Sequence, residues 1–565
     1  MNENHPASNQ LTGARFLAEA LKHCGVRDVF FIDAILRASL IEMEQVGINR
    51  VMVHSEKTAA YMADGYARVS NRVGVCMAQS VGAANLAAGL QDAYLHRSPV
   101  LALTGRKPPL YRYRNAYQEI HHAPLYEPVT KMQASVEVAD QLPLLLQQAL
   151  REATTGTPRP VHLDINGLQG ELIEGARLHA PYFPDPRYGQ IPVHRPAAAP
   201  EEIERAAAAL AQAKKPVLVI GTGAIQAGAH KVVTTLTETL QIPVATSLGG
   251  RGILPTVHPH HIGVVGTYSA PVTNQLVHEA DLVIFVGCHT SDQVTNDWTV
   301  PAAGTPIIQI DIDGSECGRN YPATLAVAGD PTVVLQNLLD AAESQAGWHE
   351  WTRAANGRFQ AWQASMLSHC RSDAAPLRVE RLCHELGECL PEDAVLVADT
   401  GYSGIWTGTM VELKHPGQTY LRAAGSLGWS FPAALGAKCA VPDRPVICFS
   451  GDGAIYYHLS ELETAKRRDI PVVLVINNNS AFAQGIPKIR SLYGDSTGNR
   501  DELSRFGPTN FADIARAFGV ESIRVEQPQA LRPALERAIR LNAPVVVDVV
   551  TDAEVRAPEA WSPNS

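Results

Sequence analysis

Short apolar runs alternate with amphipathic stretches along most of the chain. The runs are rich in β-branched residues and read RVGVCMAQ, SPVLALTG, KPVLVIGTG, ADLVIFVG, TPIIQIDID, RPVICFSGDG, IPVVLVINNN and APVVVDVV. Strands that are apolar on both faces are typical of parallel sheets covered by helices on each side. Their alternation with helical stretches therefore predicts an α/β protein built from doubly wound parallel sheets.

Two interruptions of this pattern predict the domain boundaries. Residues 179–200 are rich in proline and lack periodicity, as is typical of a linker. Near 345–378 a long polar helix pattern, WHEWTRAANGRFQAWQASMLSHC, gives way to RSDAAPLRVERL. A chain of 565 residues has room for about three or four domains. We expect three, at 1–180, 195–345 and 375–565.

Composition narrows the class of protein. Hydrophobic residues make up 45% of the chain and charged residues 18%, as in a globular protein, and the formal charge of −10 argues against a nucleic-acid binder. Nine cysteines without a CxxC pair favour a reducing compartment. The start, MNENHPASNQLTGARF, lacks a secretory signal, and no apolar run reaches the ~18 residues of a membrane span. We expect a cytoplasmic protein with a small-molecule substrate and no nucleic-acid or membrane partner.

The stretch GDGAIYYHLSELETAKRRDIPVVLVINNNS carries the first candidate chemistry. An apolar strand runs into Asp452 between two glycines, and a helical pattern follows, whose N-terminal N–H groups can bind phosphate. The next strand ends in Asn477, Asn478 and Asn479. Carboxylate and amide oxygens are ligands for hard cations. Each half alone could also be an Asp-Gly turn or a polar loop.

Together, the two halves resemble the diphosphate-binding motif of the thiamine-diphosphate (ThDP) enzyme family. In that family the metal-binding asparagine follows the aspartate by 27 positions, which is the separation of Asp452 and Asn479. The resemblance implies that both residues, with the backbone carbonyl of Ala481, bind one Mg²⁺ that bridges the diphosphate. It also places Gly451, Gly453 and Ala454 at the cofactor.

A second motif lies near the N-terminus. VMVHSEKTAAYMADGYAR resembles the family signature xxHExxAxxxAxGYAR, which implies that Glu56 contacts N1′ of the cofactor's aminopyrimidine and takes part in acid–base catalysis through it. Alternatively, Glu56 only stabilises a helix N-terminus, an effect of ~0.3–1 kcal/mol. The following GVCMAQSVGAANLAAGLQDAYLHRSPVLALTG also resembles the family and places Gly82 and Asn85 beside the pyrimidine.

The third segment resembles the acetohydroxyacid-synthase branch of the family. In RAAGSLGWSFPAALGA the resemblance implies that the carbonyl of Gly425 binds N4′ and that Leu427 supports the bent cofactor, although an ordinary glycine-rich turn would look similar. DTGYSGIW places Tyr402 and Ser403 near the diphosphate. The middle segment resembles the branch's central domain, where some relatives carry FAD; the sequence leaves FAD undecided. GTGAIQAG has Gln226 at its third glycine position, which disfavours an NAD site.

The residues expected at the donor pocket depart from the branch. Synthases have a Pro-Gly-Gly-type loop after the first strand, whereas this chain has Asp33, Ala34 and Ile35. An ionised Asp33 would repel a substrate carboxylate, or it would point away and cap the following helix. YQEIHH aligns Gln118 with a pocket residue of the synthases and adds His121 and His122. Either histidine could transfer protons, or both could be structural.

The resemblance implies a ThDP- and Mg²⁺-dependent carbon–carbon lyase or carboligase of the acetolactate-synthase type. It would act on a 2-keto acid or acyloin donor through a C2 carbanion and an enamine. A 2-hydroxyacyl-CoA lyase or a cyclic 1,2-dione hydrolase is the alternative within the class; RKPPLYRYRNAY could attract an anionic substrate such as an acyl-CoA, or be a solvated loop. A cofactor-free scaffold or regulatory homologue and a flavin or NAD oxidoreductase are the alternatives outside it. The family architecture implies pyrimidine, central and diphosphate domains in a homodimer or homotetramer.

Overall fold

The computed structural model of the protein describes residues 11–322 and 324–563. The outermost residues of two predicted domains, 1–10 and 564–565, therefore lie outside the described residues. The described chain forms two compact units. One contains the residues up to Val193 together with Leu435–Val441, and the other contains His194–Ala434 together with the residues from Pro442 onward. The predicted division into domains at 1–180, 195–345 and 375–565 stays a prediction.

Three six-stranded sheets, each entirely parallel, form the framework and confirm the predicted α/β class. The first sheet has the order β2-β1-β3-β4-β6-β5 and consists of β1 (Asp28–Phe31), β2 (Asn49–Met52), β3 (Gly74–Ala78), β4 (Val100–Arg106), β5 (Met132–Val136) and β6 (Val161–Asn166). The second has the order β12-β11-β10-β7-β8-β9 and consists of β7 (Pro216–Ile220), β8 (Val244–Thr246), β9 (His261–Val264), β10 (Leu282–Val286), β11 (Ile307–Asp311) and β12 (Thr324–Ala328). The third has the order β14-β13-β15-β16-β18-β17 and consists of β13 (Val395–Ala398), β14 (Thr419–Arg422), β15 (Val446–Gly451), β16 (Val472–Asn478), β17 (Glu521–Val525) and β18 (Val545–Val550).

Helices connect the strands of each sheet. Those connected with the first sheet are Gly13–His23, Arg37–Gln45, Glu56–Ser70, Gly82–His96, Ala123–Tyr126, Leu142–Thr154 and Glu171–Glu174. Those connected with the second are Pro200–Gln212, Thr222–Gln226, His230–Leu240, Pro271–His278, Asp292–Thr295, Pro331–Ala341 and the predicted long helix, Ala346–Cys370. Those connected with the third are Val379–Cys389, Tyr402–Met410, Ser430–Ala440, Asp452–Ile455, Glu461–Arg467, Ile486–Tyr493, Phe511–Ala517 and Pro528–Arg540.

Burial explains why the strand sequences are apolar on both faces. Every residue of β3, β4, β7, β10 and β13 is buried, and β16 is buried over its whole length although it ends in two asparagines. The cores on either side of the strands consist of aliphatic and aromatic side chains. Such strands need helices on both faces. In β4 and β16 the polar residues lie toward the carboxyl end, whereas the equally buried β6 carries His162 and Asp164 within its length.

The winding of the first and third sheets determines where ligands can bind. In the first sheet the chain moves outward from β1 to β2 and then returns to place β3 on the other side of β1; β13, β14 and β15 repeat this arrangement in the third sheet. In open α/β sheets, ligands bind outside the carboxyl ends of the strands at such a reversal. The segments that follow β1 and β3, and those that follow β13 and β15, are therefore the places to look for a site.

Two further features bear on the sequence-based expectations. The first glycine of GTGAIQAG, Gly221, follows β7, and a Cβ at this position would lie 2.3 Å from the carbonyl oxygen of Gly287. This glycine is thus required by the close approach of two backbones.

Within residues 11–322 and 324–563, none of the helices combines the length and the apolar composition that crossing a bilayer requires.

Candidate active site

A cleft of about 450 Å³ lies at the carboxyl ends of β13, β15 and β16, at the winding reversal of the third sheet. Nine of the residues predicted from the sequence line it: Tyr402, Ser403, Leu427, Gly451, Asp452, Gly453, Ala454, Asn479 and Ala481. Gly425 is exposed on the loop after β14 and is not among the lining residues. The cleft therefore joins segments that are far apart in the sequence, as the motif comparison required.

Asp452 is the buried charge of this cleft. Its side chain is 2% exposed, and its carboxylate accepts hydrogen bonds from three backbone N–H groups: those of Gly453 at 2.7 Å, Asn479 at 2.8 Å and Ser480 at 2.5 Å. Burial raises the pKa of Asp452 to about 6, and the backbone donors counteract that rise only in part. A buried carboxylate of this kind is stabilised by a cation.

The three consecutive asparagines have three different environments. Asn477 accepts a hydrogen bond from the Thr551 hydroxyl at 2.5 Å. Asn478 donates to the Asp548 carboxylate at 2.8 Å and to the Thr509 carbonyl at the same distance. The Oδ1 atom of Asn479 is buried and has no hydrogen-bond partner within the described part of the chain.

Asn479 is thus the asparagine whose side-chain oxygen is available for a ligand. Buried polar atoms are almost always paired, so an unpaired one needs an explanation. The Asn479 backbone N–H binds Asp452, which places the free amide oxygen on the residue that already holds the buried carboxylate. Neutral amide and anionic carboxylate oxygens together fit a hard divalent cation.

Glycines shape the walls of the cleft. A Cβ at Gly453 would lie 2.3 Å from Cε1 of Phe482, so a larger residue would collide with that ring. Gly401 has φ +63°, and a Cβ there would lie 2.7 Å from Oε1 of Gln484. Gly401 therefore allows the chain to turn into helix Tyr402–Met410, which begins at the cleft.

Sequence reasoning missed several residues at this site. Asp399 is fully buried at the end of β13, and its carboxylate accepts the backbone N–H groups of Gly428 and Ser430, each at 3.0 Å. It therefore holds the turn that carries Leu427. Tyr268, in the segment after β9, and Gln484 also line the cleft, with 3.5 Å between the tyrosine hydroxyl and the glutamine Nε2. The aspartate of DTGYSGIW was the available signal for Asp399, whereas Tyr268 lies too far away in the sequence to be recognised.

Three of the predicted pyrimidine-side residues come together in the first unit. Glu56 is the first residue of helix Glu56–Ser70, as predicted, and its Oε2 accepts a hydrogen bond from Asn85 Nδ2 at 3.2 Å. A Cβ at Gly82 would lie 2.5 Å from Glu56 Oε1. Glycine at position 82 therefore leaves room for the carboxylate, and Asn85 orients it.

The Asp33 side chain, in the loop after β1, neither caps the following helix nor presents an unpaired charge. The Asp33 carboxylate is exposed and forms an ion pair with Arg37 at 3.0 Å. The Arg37 hydrogen bond holds the pKa of Asp33 below its ordinary value, so the group is charged but its charge is paired. Helix Arg37–Gln45 has Leu36 at its N-cap position without a side-chain cap, so the expectation that Asp33 caps this helix is wrong. The expected repulsion of a substrate carboxylate is reduced by the arginine.

The other two residues of this loop have different environments. Ala34 is half-buried with φ +71°, so the backbone keeps the left-handed conformation that glycine adopts easily. Ile35 is fully buried in the hydrophobic core of the first sheet. We therefore correct the expectation that Ile35 lines the pocket: its side chain is part of the core.

The histidine pair divides into one exposed and one buried residue. His121 is exposed. His122 is 1% exposed, with Nδ1 at 3.0 Å from Asp164 Oδ1 and Nε2 at 2.9 Å from the Ser80 carbonyl oxygen. Because both ring nitrogens of His122 face acceptors, neither is free for a substrate, and its expected catalytic role is withdrawn. Gln118 has φ +59°, and its buried Oε1 has no hydrogen-bond partner among the described residues.

Comparison with known proteins matches the three parts of the chain to three domains of one family. Residues 11–125 match the thiamine pyrophosphate enzyme N-terminal TPP binding domain, residues 203–338 the central domain, and residues 399–549 the C-terminal TPP binding domain. A probable acetolactate synthase large subunit of Methanocaldococcus jannaschii is 32% identical over 96% of this chain and 92% of its own length. The chain belongs to the thiamine pyrophosphate enzyme family.

Further relatives have similar names. The acetolactate synthase of Arthrospira platensis is 32% identical over 97% of this chain and 96% of its own length. The acetolactate synthase isozyme 1 large subunit of Escherichia coli K12 is 30% identical over 96% of this chain and 95% of its own length. The predicted resemblance is confirmed: this family member is a ThDP-dependent carboligase. The comparisons do not favour the hydroxyacyl-CoA lyase or cyclic-dione hydrolase alternatives.

Proposed function

We propose that this thiamine pyrophosphate enzyme uses Mg²⁺ with its cofactor and acts on a 2-keto acid such as pyruvate. Two pyruvate molecules and a proton would give one acetolactate and one CO₂. The observation that carries the proposal is the unpaired amide oxygen of Asn479 beside the buried carboxylate of Asp452. The names of the relatives support the donor class.

The cleft would hold the diphosphate end of the cofactor. Asp452 and Asn479 would bind Mg²⁺ through side-chain oxygens, and Ala481 would add its backbone carbonyl, because Mg²⁺ uses a few protein oxygens together with phosphate and water. Gly451, Gly453 and Ala454 line the wall where the diphosphate would lie, and small residues there let its oxygens approach the backbone. Tyr402 and Ser403 would contact it from the start of helix Tyr402–Met410.

The pyrimidine end would be bound by a different set of residues. When bound, ThDP supplies a carbon nucleophile that can attack a carbonyl group. Glu56 would hold a proton at the pyrimidine N1′, with Asn85 keeping the carboxyl group in place and Gly82 leaving room for it. Leu427, on the turn held by Asp399, would support the cofactor, and the Gly425 carbonyl would accept a hydrogen bond from its amino group.

The donor pocket would be formed in part by the loops after β1 and β4. Gln118 has a buried amide oxygen without a hydrogen-bond partner among the described residues, which suits a group that would bind a substrate. His121 is the exposed histidine of the pair and would serve in proton transfer. Asp33 and Ala34 would border the pocket, and the ion pair between Asp33 and Arg37 would leave an anionic donor free to approach.

We also propose that the protein works as a homodimer or homotetramer, in which Glu56 of one chain serves the cofactor held by another. Support comes from the family architecture that the motifs imply. Light scattering on the cofactor-loaded protein would test this, and an active monomer would contradict it.

The donor assignment is tested by incubating the loaded protein with pyruvate and following carbon by NMR. We expect consumption of pyruvate, with one CO₂ released for each acetolactate formed. Cofactor content is measured on the same sample. Untouched pyruvate in a sample with full cofactor content would contradict the donor class while leaving the family assignment intact.

The raised pKa of Asp452 predicts a pH-dependent response to the cation. Its pKa is about 6 in the folded chain and about 4 in an unfolded one, so the group stabilises the cation-free protein below about pH 4, and this contribution is lost as the pH rises through 6. At pH 7.5 the unneutralised carboxylate costs roughly 3 kcal/mol, which a bound cation would offset. We expect Mg²⁺ with ThDP to raise Tm more at pH 7.5 than at pH 5.

The control for this measurement is Asp452→Asn, which removes the titrating group and leaves the pH dependence of the ligand itself. The difference in Tm shift between the two pH values should shrink in this variant. An equal difference in the variant and the parent protein would contradict the role given to Asp452.

A further inference from the structure

The loop that carries Gln118 is joined twice to one residue of the turn after β3. Ser80 is fully buried, and its hydroxyl donates to the Gln118 carbonyl oxygen at 2.5 Å. Its own carbonyl oxygen lies 2.9 Å from Nε2 of His122. The backbone between residues 118 and 122 is thereby closed into a ring through Ser80. Ser80 is two residues before Gly82, the first residue of helix Gly82–His96.

His122 is held from its other side by a fixed anion. Asp164 lies on β6, in the interior of the first sheet, and its Oδ1 accepts hydrogen bonds from the Thr104 hydroxyl at 2.8 Å and from His122 Nδ1 at 3.0 Å. Burial alone would raise the pKa of Asp164, but the hydrogen bonds from His122 and Thr104 hold that pKa below its ordinary value. Asp164 is therefore an ionised anchor at neutral pH.

Gln118 is the residue whose placement this anchoring would control. Its φ of +59° is unusual for a residue with a side chain and is kept only where the surroundings enforce it. Its Oε1 is buried and has no hydrogen-bond partner among the described residues, while its Nε2 donates to the Tyr117 hydroxyl at 3.1 Å. This φ belongs to the third position of a turn closed by the Glu119 N–H, which donates to the Ala116 carbonyl at 3.1 Å. The bond from Ser80 to the Gln118 carbonyl and the bond from His122 to Ser80 fasten this turn to the segment after β3.

We propose that His122, held by Asp164, is a positioning residue that acts through Ser80 to fix the amide of Gln118 at the donor pocket. This inference rests on the donor pocket proposed above. A neighbouring histidine shows the contrast: His162, also on β6, stacks on Tyr126 with 3.5 Å between ring centroids and contacts Thr104, not the loop. Burial lowers the pKa of His162 to about 3, so that ring is neutral.

His122 would affect turnover through the placement of Gln118. A shift of a contacting group by about 1 Å can lower turnover by roughly 100-fold without changing which groups are present. Removal of His122 leaves Glu56 and Asn85 untouched, so the cofactor end of the site should respond little. The loss should therefore fall on steps that need Gln118.

The test is a double-mutant cycle with pyruvate as donor. We expect His122→Ala to lower kcat by about 10- to 100-fold. Cofactor half-saturation and the exchange rate of the cofactor's C2 proton should stay within about threefold of the parent protein, since Glu56 is unchanged. If His122 acts through Gln118, the double variant His122→Ala/Gln118→Ala should be no slower than Gln118→Ala alone. Additive losses would overturn the inference.

Two further variants separate positioning from stability. Asp164→Asn keeps a hydrogen-bonding partner for His122, because a neutral ring can accept at Nδ1 and donate at Nε2, so it should retain most of kcat where Asp164→Ala does not. Thr154→Val is the matched control, because it removes a buried hydroxyl that binds the Leu150 carbonyl at 2.8 Å, within one helix. It should lower Tm and leave kcat unchanged. Equal loss of kcat in Asp164→Asn and Asp164→Ala would contradict the inference.

Hydrogen exchange of the loop tests the inference without any substrate. Peptides covering residues 107–122 should exchange at least about tenfold faster in His122→Ala than in the parent protein or in Thr154→Val. Unchanged exchange overturns the inference whatever the donor is. Failure of the parent protein to consume pyruvate counts against the proposed function alone, because the exchange arm still decides whether His122 holds the loop.

Discussion

Replacing Glu56 by glutamine should leave cofactor binding nearly intact and lower turnover by about 10²- to 10⁴-fold. Glutamine keeps the size of the side chain and its contact with Asn85 but cannot exchange a proton with the pyrimidine N1′. The C2 proton of the bound cofactor should exchange with solvent correspondingly more slowly. Steady-state rates, cofactor titration and exchange followed by NMR after acid quench would measure the three effects separately.

A helix-terminus role for Glu56 would give a different result. A first-turn carboxylate is worth only ~0.3–1 kcal/mol of stability, and its loss would not touch turnover. Glu202→Gln is the matched control, because Glu202 lies in the first turn of helix Pro200–Gln212. It should shift Tm slightly and leave turnover unchanged. Full activity in Glu56→Gln would disprove the proposed mechanism.

Asn479→Ala should weaken Mg²⁺-dependent binding of thiamine diphosphate by at least about 10- to 100-fold. The variant removes the unpaired amide oxygen and preserves the backbone N–H that binds Asp452. Since an unpaired buried polar atom destabilises the protein that contains it, the Tm of the cofactor-free variant should not fall. Titration of cofactor at fixed Mg²⁺, together with thermal unfolding of the cofactor-free protein, would measure both.

Asn510→Ala is the matched control, because its expected effects on stability and on cofactor affinity are the reverse of those of Asn479→Ala. Asn510 caps helix Phe511–Ala517 by accepting the Asp513 N–H at 3.1 Å, so its amide oxygen already has a partner. Its loss should lower the stability of the cofactor-free protein by about 1 kcal/mol and leave cofactor affinity unchanged. If Asn479→Ala behaved in the same way, Asn479 would be a structural residue and the metal assignment would be wrong.

The elements of the fold and the ends of the site could be predicted because they follow from local rules. Strands apolar on both faces predict parallel sheets, and the carboxyl ends of strands in such sheets predict where polar residues meet. The strand ends indicated Asp452 and the run of asparagines, whereas the choice of Asn479 and the role of Glu56 came from the resemblance to the thiamine-diphosphate enzyme family. In each case a short stretch of sequence contained both the element and its end.

The other features depend on contacts between distant parts of the chain. The sequence NNN does not reveal which asparagine side chain lacks a hydrogen-bond partner. Asn477 is bonded by Thr551, just after β18, and Asn478 is bonded to Asp548, on β18. His122 looked like a proton donor because Asp164, forty-two residues away, could not be seen beside it. Ile35 was expected at the donor pocket, because the sequence does not show that the loop turns its side chain into the core after an alanine at φ +71°.

The hydrogen bond from Ser480 to Asp452 has a consequence for the chemical ageing of the protein. An asparagine deamidates when the backbone nitrogen of the next residue attacks its side-chain carbon, and the product at position 479 would be a second carboxylate beside Asp452. The nitrogen in question is that of Ser480, whose N–H is directed at the Asp452 carboxylate at 2.5 Å in a residue with φ +55°. We therefore expect Asn479 to resist deamidation during storage better than an asparagine–serine pair in a free loop.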